Sequence, residues 1–495
     1  MTIKLEKEDF ITKYQQGKSF IVSEELNSDL DTAISLYLKL KHLSKYSFLL
    51  ESAEKENNKG RYSAIGLLPD LIWSCNNSII TSQDNQKTTI KKNCTNAEIK
   101  DSLEQILAHS QIQANNNLPA IASGLFGYMN YDMVHYFENI PKHQFDKINI
   151  PEAIYIRPRI VIVIDNLKDK ISICLPVYPS ILTALKSYKE KLALLKKTTK
   201  ALSKTIHSNS IKKENKKLQF IANFTQTEYQ NIVKKAKQYI KAGDIFQILP
   251  SRRFQTKFPY SGFALYRSLR SLNPSPFLFY LNFKDFEIIG SSPEIMVRVA
   301  EDKVTVRPLA GTRKRGKNPQ EDQILANDLL NDEKEVAEHL MLIDLGRNDI
   351  GRVAEKNSIE VNKYMEIEYY SHVMHISSNI DGKISQDKSC LDALIAGFPA
   401  GTVSGAPKIR AMQLIAELEP AKRSFYSGCV GYFSTHKKHM DMAIMLRTAL
   451  LKDKILYAQA GAGIVYDSKP KMEYEETENK AAVIFRAAEN AHNFK

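Results

Sequence analysis

The sequence predicts an α+β protein built as two layers of antiparallel sheet flanked by helices. Three observations lead there. At 495 residues the chain exceeds the size at which one hydrophobic core stops growing, so it forms two domains or one large two-layer domain. Short alternating runs such as Leu71-Ile72-Trp73-Ser74 and Ile160-Val161-Ile162-Val163-Ile164, separated by Asn, Asp and Lys turns, read as strands. After residue 222, long helical patterns alternate with further strands.

Taken along the chain, the start Met1-Thr2-Ile3-Lys4-Leu5-Glu6-Lys7 is charged and lacks the apolar stretch of a secretion signal. Residues 185–217 are polar and basic, without interleaved aromatics, and read as a helix end followed by an exposed linker. The linker, placed at 206–222, separates an N-terminal region 1–205 from a region 223–490. Thr225-Gln226-Thr227-Glu228 is a capping box opening a helix through 241, which Gly243 stops. Strands are expected over 286–290 and 303–306, a helix over 333–345, and another over 408–418 after a Gly-rich segment at 400–407.

Composition excludes several classes. With 43% hydrophobic and 25% charged residues the chain matches an ordinary globular protein, and no apolar run approaches the roughly 20 residues that cross a bilayer. The net charge of +13 invites a nucleic-acid reading, but much of the excess lies in the 185–217 segment, where no aromatics are placed for base stacking. The five cysteines are far apart, with no CxxC pair and no glycine-flanked elbow, which disfavours a disulfide framework, a zinc site and a thiol nucleophile. A reducing cytoplasm is the expected location.

The most informative stretch is Pro308-Leu309-Ala310-Gly311-Thr312-Arg313-Lys314-Arg315-Gly316. It joins bare backbone at Gly311, the Thr312 hydroxyl and three cations, a set suited to a small anion; a solvated basic turn is the alternative. Glu335 and Glu338 share a helix face, as do Glu473 and Glu476; two such pairs suit Mg²⁺, though solvent-facing carboxylates have the same spacing. Arg447, in an apolar strand pattern, needs a carboxylate from a substrate or from the protein. Glu294 follows Ser291-Ser292-Pro293 at a strand-to-turn corner that could present a general acid, and His375 lies among apolar residues. Gly461-Ala462-Gly463 lacks the third glycine of a dinucleotide loop.

In this order the residues resemble the chorismate-utilising enzymes, and among them the large subunits of anthranilate synthases. The resemblance spans nearly the whole chain and is strongest over 223–490. It rests on Ala242-Gly243-Asp244-Ile245-Phe246-Gln247, Gly290-Ser291-Ser292-Pro293-Glu294, and the stretches 308–316, 332–352, 400–408 and 460–465. It implies that family's fold and an Mg²⁺-dependent amination of chorismate by ammonia at C2, followed by loss of pyruvate to give anthranilate, the first step of tryptophan biosynthesis. Isochorismate- and salicylate-forming members carry a lysine at the position of Gln247, and aminodeoxychorismate synthases a lysine at that of Ala310. A glutamine cannot act as the water-activating base, and an alanine offers no nucleophile. A synthase that releases 2-amino-2-deoxyisochorismate would keep both residues.

By that resemblance Glu338 and Glu476 would hold Mg²⁺ with Glu335 and Glu473 nearby. Tyr426, Arg447, Gly461, Ala462, Gly463 and Lys480 would clamp substrate carboxylates, and Gly311, Thr312 and Thr402 would line the ring pocket. Glu294 would protonate the departing hydroxyl, with His375, Gln247 and Thr312 as further catalytic residues. Leu50, Glu51, Ser52, Arg61 and Tyr62, with Pro276, Phe277 and Leu278, look like a tryptophan feedback site; Phe277 and Leu278 stand where tyrosine and methionine are more familiar. Ammonia would come from a separate glutamine amidotransferase subunit, component II, in a hetero-oligomer such as a heterotetramer, with neither nucleic acid nor membrane as a partner.

Overall fold

The computed structural model describes residues 6–52, 60–84, 87–143, 145–180, 182–206, 217–370 and 373–494. Strand pairing among them is antiparallel. Hydrogen bonds link 21 strands into one continuous network, with a separate two-stranded ladder between Gln247–Ile248 and Gly405–Ala406.

Period-two alternation makes the layers. In Tyr46–Glu51, Phe48 faces a core formed largely between strand faces while Leu49 faces one shared with helices. Phe277–Phe283 does the same, with Phe279 and Leu281 on the inter-sheet side and Leu278 and Tyr280 on the helix side. Stacked rings fill the inter-sheet space: Phe48 lies 4.3 Å from Phe126, which lies 5.5 Å from Tyr432. These contacts join the two ends of the chain. Tyr46–Glu51 pairs with Phe277–Phe283, and Gly124–Met129 pairs with Cys429–Ser434.

Several local signals act as read. Thr225 and Glu228 form the reciprocal capping box of helix Gln226–Lys241, and Gly243 follows at φ +82°. Strands Phe286–Ser292 and Lys303–Val306 and helix Lys408–Leu418 stand where expected. The helix expected over 333–345 runs further, as Glu333–Gly351, because buried Gly346, Asp349 and Ile350 continue its inner face and Asp349 meets Lys408 at 2.6 Å.

Other expectations are corrected. The 185–217 segment is mostly an amphipathic helix, Ala184–Leu202, whose Leu194, Leu195, Ala201 and Leu202 enter the core; 207–216 lie outside the described residues. The 308–316 stretch is neither a basic turn nor an array of free cations. Leu309–Lys314 is a strand with a bulge at Gly311, and Arg313 is held by Asp328 and Asp332 at 2.8 and 2.7 Å while Arg315 is held by Asp322 at 2.6 Å. Arg447 is not inside a strand: it turns the chain between His439–Ile444 and Thr448–Lys452 at φ +46°. All five cysteines are free thiols, and no helix among the described residues is long and apolar enough to cross a membrane.

Candidate active site and the cavity behind it

Glu294 occupies the corner between strands Phe286–Ser292 and Ile295–Ala300, where the chain must turn and a side chain can face inward. It is buried, and burial pushes its carboxyl up to about 8, opposed by the Thr402 hydroxyl, which donates to Oε1 at 3.0 Å, and by the nearby Arg307 charge. Near neutral pH the group therefore keeps its proton and can donate it. Behind it lies a void of only about 30 Å³, walled in part by Arg307, Leu342, Leu345 and Gly401.

Across the site, Gly311 adopts φ +67° in its bulge, so its carbonyl accepts the Nδ1 proton of His375 at 2.9 Å. The Thr312 hydroxyl is 3.1 Å from the same nitrogen. With Nδ1 committed as a donor, Nε2 keeps its lone pair, and desolvation brings the imidazole down to about 4, so it is a neutral base at pH 7.

Gln247 sits in the two-stranded ladder with Gly405–Ala406 and is braced from the other side by the Ile248–Ile464 bridge. Its amide donates to Glu338 Oε1 at 2.7 Å, and its own Oε1 is buried without a partner. A Cβ on Gly463 would fall 3.0 Å from the Gln247 nitrogen, and one on Gly461 would fall 3.1 Å from the Tyr426 hydroxyl; both glycines let backbone come close here.

The four glutamates come from two helix starts. Asp332 caps Glu333–Gly351 by accepting from the amides of Lys334 and Glu335, which sets Glu335 and Glu338 on one face. Helix Pro470–Asn490 carries Glu473, Glu476 and Lys480 on another. Desolvation and the charge of Glu338 raise the Glu335 carboxyl; desolvation raises that of Glu473, with Glu476 adding to it. Lys480 meets Glu476 at 2.6 Å and the Gly461 carbonyl at 3.2 Å; desolvation opposes its charge, and Glu476, aided by Glu338, outweighs it to hold the amine above its ordinary value.

Hard oxygens set so that the charge of Glu338 bears on Glu335 and that of Glu476 on Glu473 suit a dication. They are not gathered into a finished site, since among the described residues no three His, Cys, Asp or Glu side chains come within metal-binding reach. Arg447 donates to neutral Asn273 at 3.2 Å and makes no ion pair among the described residues, which leaves its desolvated charge for a ligand carboxylate.

All eight residues read as a feedback site line one cavity of about 1660 Å³ on the other side of the Glu294 strand. Glu51 differs from expectation in one respect. Both its oxygens are taken, by Tyr266 at 2.5 Å and by Arg270 at 2.9 and 3.0 Å, so it braces helix Gly262–Leu272 and is not a free acceptor. The opposite wall, with Val430, Gly431, Tyr432, Asp441 and Ala443, comes from a hairpin that the sequence reading did not single out; its alternation marks strands but carries no ligand cue. Arg307 was also missed, since nothing local marks an arginine behind an acid; Asn273 belongs to the 273–278 stretch read as completing the feedback site, and its contact with Arg447 across the fold was not foreseen.

Residues 45–486 match the chorismate binding enzyme family, and the chain belongs to it. Within that class it is 46% identical to anthranilate synthase component 1 of Cereibacter sphaeroides, over 98% of each chain. It is 43% identical to the Aquifex aeolicus protein of the same name, over 94% of each. The crystal structure of anthranilate synthase component I from Streptococcus pneumoniae superposes with a TM-score of 0.74 at 35% identity, covering 87% of this chain and 94% of that one. The menaquinone-specific isochorismate synthase of Escherichia coli shares the fold, with a TM-score of 0.72 at 18% identity.

Proposed function

We propose that this chain aminates chorismate with ammonia and eliminates pyruvate, as the large subunit of an anthranilate synthase. The observation that carries the reading is Gln247, a residue with no basic nitrogen, at the point where related water-adding enzymes are expected to hold a lysine; its amide is fixed on Glu338 and its carbonyl oxygen is buried without a partner. Near-full-length identity to proteins named for this activity supports it.

In this scheme Arg447 and Lys480 take the substrate carboxylates while Thr402 and Gly311 border the ring. Ammonia bonds to C2, the ring double bonds shift, and the C4 oxygen leaves as water with the proton of Glu294. The amine sheds its extra proton. In the second stage the C2 hydrogen leaves as a proton, His375 Nε2 being the base at hand. The C3–oxygen bond breaks, and the enolpyruvyl group departs to become pyruvate. Glu338 and Glu476, with Glu335 and Glu473 nearby, would hold Mg²⁺, which when bound would neutralise the ring carboxylate. Positioning and fixed charge provide most of the rate gain.

The remaining parts of the reading are an amidotransferase partner that delivers ammonia, tryptophan inhibition through the larger cavity, and a cytoplasmic location. Residues 223–490 then carry the chemistry, and 1–205 carry the feedback site together with Pro276, Phe277 and Leu278, the two regions joined by 206–222. All five thiols lack an amidotransferase elbow, so the isolated chain should use ammonium salts and not glutamine. The purified chain with chorismate, Mg²⁺ and ammonium should yield anthranilate, identified by fluorescence and mass. Isochorismate or a stable aminated intermediate as the main product would overturn the assignment.

A further inference from the structure

Next to the site lies a fully buried ion pair to which the proposed reaction gives no role. Arg423 is 1% exposed and Glu419 5%. The five guanidinium N–H groups are all used. Nε donates to Glu419 Oε2 at 2.9 Å; one terminal nitrogen donates to the Val403 carbonyl at 2.8 Å and Ser427 Oγ at 3.4 Å; the other donates to Glu419 Oε1 at 2.7 Å and the Leu249 carbonyl at 2.5 Å. Glu419 Oε1 also accepts from the Ser251 amide and hydroxyl, each at 2.8 Å. The Tyr131 and Tyr426 rings lie 4.7 and 5.7 Å from the guanidinium carbon.

Each contact ends on a segment that carries the site. Val403 follows Thr402, the hydroxyl on Glu294. Leu249 lies two residues past Gln247, and its own amide bonds the Ser404 carbonyl at 3.0 Å. Ser251 pairs with Gly461 across the sheet, and Tyr426 stands against Gly461. We propose that Arg423, oriented by Glu419, is a positioning residue that sets the acid's partner, Gln247 and the carboxylate-clamp backbone in register with one another. A buried ion pair adds little net stability over apolar side chains of similar volume, so its distinctive contribution here is direction: five donors in one plane, aimed at three separate chain segments.

The inference rests on the reading of this site as the chorismate pocket, and the test separates the two. Arg423→Lys keeps the charge but offers donors from a single point that cannot span the Val403 and Leu249 carbonyls together. The double variant Arg423→Met with Glu419→Leu removes the pair without leaving a lone buried charge. Wild type and both variants are assayed as full chains with chorismate, Mg²⁺ and ammonium, alongside thermal melting.

The expected result is a kcat lowered about 100-fold in at least one folded variant, in line with the cost of an ångström-scale misplacement, with chorismate KM changed by less than about threefold. Wild-type kcat in every variant that folds overturns the proposal, as does a loss confined to KM. If neither variant folds, the pair is a stability element and the proposal also fails. An inactive wild type defeats the functional reading itself.

Discussion

At the active site the polar groups have closed on one another: Gln247 on Glu338, Lys480 on Glu476, Thr402 on Glu294, His375 on Gly311. A void of about 30 Å³ lies against Glu294 and Thr402. On the far side of the same strand, a cavity of about 1660 Å³ stands open between Leu50, Pro276, Phe277, Leu278 and the Val430–Tyr432 backbone. The contrast follows from the side chains. Charged groups at the first site satisfy each other without a ligand, so a ligand there must compete with internal partners. The larger cavity sets apolar side chains such as Leu50, Phe277 and Leu278 beside polar ones such as Ser52 and Arg61, and its apolar part has no internal substitute for a ligand.

The sharpest test of the first half of that contrast is Glu338→Ala. If Glu338 must give up Gln247 to hold Mg²⁺, the variant should lose about 10³-fold or more in kcat, the scale of several kcal/mol of charge neutralisation, while melting as wild type does. Withdrawal of magnesium by EDTA should have the same effect reversibly; full turnover in EDTA would remove the metal from the scheme.

Glu294→Gln should cost about 100-fold or more, the share of a general acid. In wild type kcat should fall as pH rises through about 8, where Glu294 loses its proton, and the variant should lack that limb. Stability should move in the same direction. Between the ordinary value of 4.5 and about 8 the folded state holds a proton that the unfolded chain has released, so folding weakens as pH climbs through that window. A melting temperature that depends on pH there as strongly in the variant as in wild type would assign the effect elsewhere.

Gln247→Lys should reduce ammonia-dependent turnover roughly tenfold, the equivalent of one hydrogen bond to a charged group, and should admit some isochorismate. An unchanged product mixture would show that the amide does not choose the nucleophile.

The smallest effects belong to the cavity. Ser52→Phe should fill the small-residue gap in its wall and weaken tryptophan inhibition about tenfold or more with uninhibited turnover unchanged. Glu51→Ala should act differently from a simple loss of ligand contact. It strands Arg270 and Tyr266, so melting temperature should drop along with tryptophan affinity, which calorimetry on the wild-type chain sets as reference. Wild-type inhibition in both variants would empty the cavity of its assigned role.

What the sequence made legible was local. Capping at Thr225–Glu228, the stop at Gly243 and the corner at Glu294 depend on neighbours a few residues away. Carboxylate spacing on the helix starting at Glu333 is likewise written in the sequence, and the ordered motifs gave the family. What it hid was pairing at long range. Arg313 and Arg315 look available until Asp328, Asp332 and Asp322 are folded onto them, and Glu51 looks free until Arg270 arrives from 219 residues away. Arg447 reads as a strand residue because its apolar neighbours mask a left-handed turn.

The pairing of Tyr46–Glu51 with Phe277–Phe283 has a consequence for how the chain is made. About 230 residues of synthesis separate the two strands, roughly 10 to 50 s at about 5–20 residues per second. Through that interval the first strand has its inner neighbour Tyr62–Asn76 but an open edge where the later strand belongs. Gly124–Met129 waits even longer for Cys429–Ser434. The nascent N-terminal half is thus a sheet with two unsealed borders, the geometry that captures strands from other molecules. Expression at lower temperature or with a holdase chaperone should raise the soluble yield of the whole chain, and a fragment ending near residue 205 should precipitate.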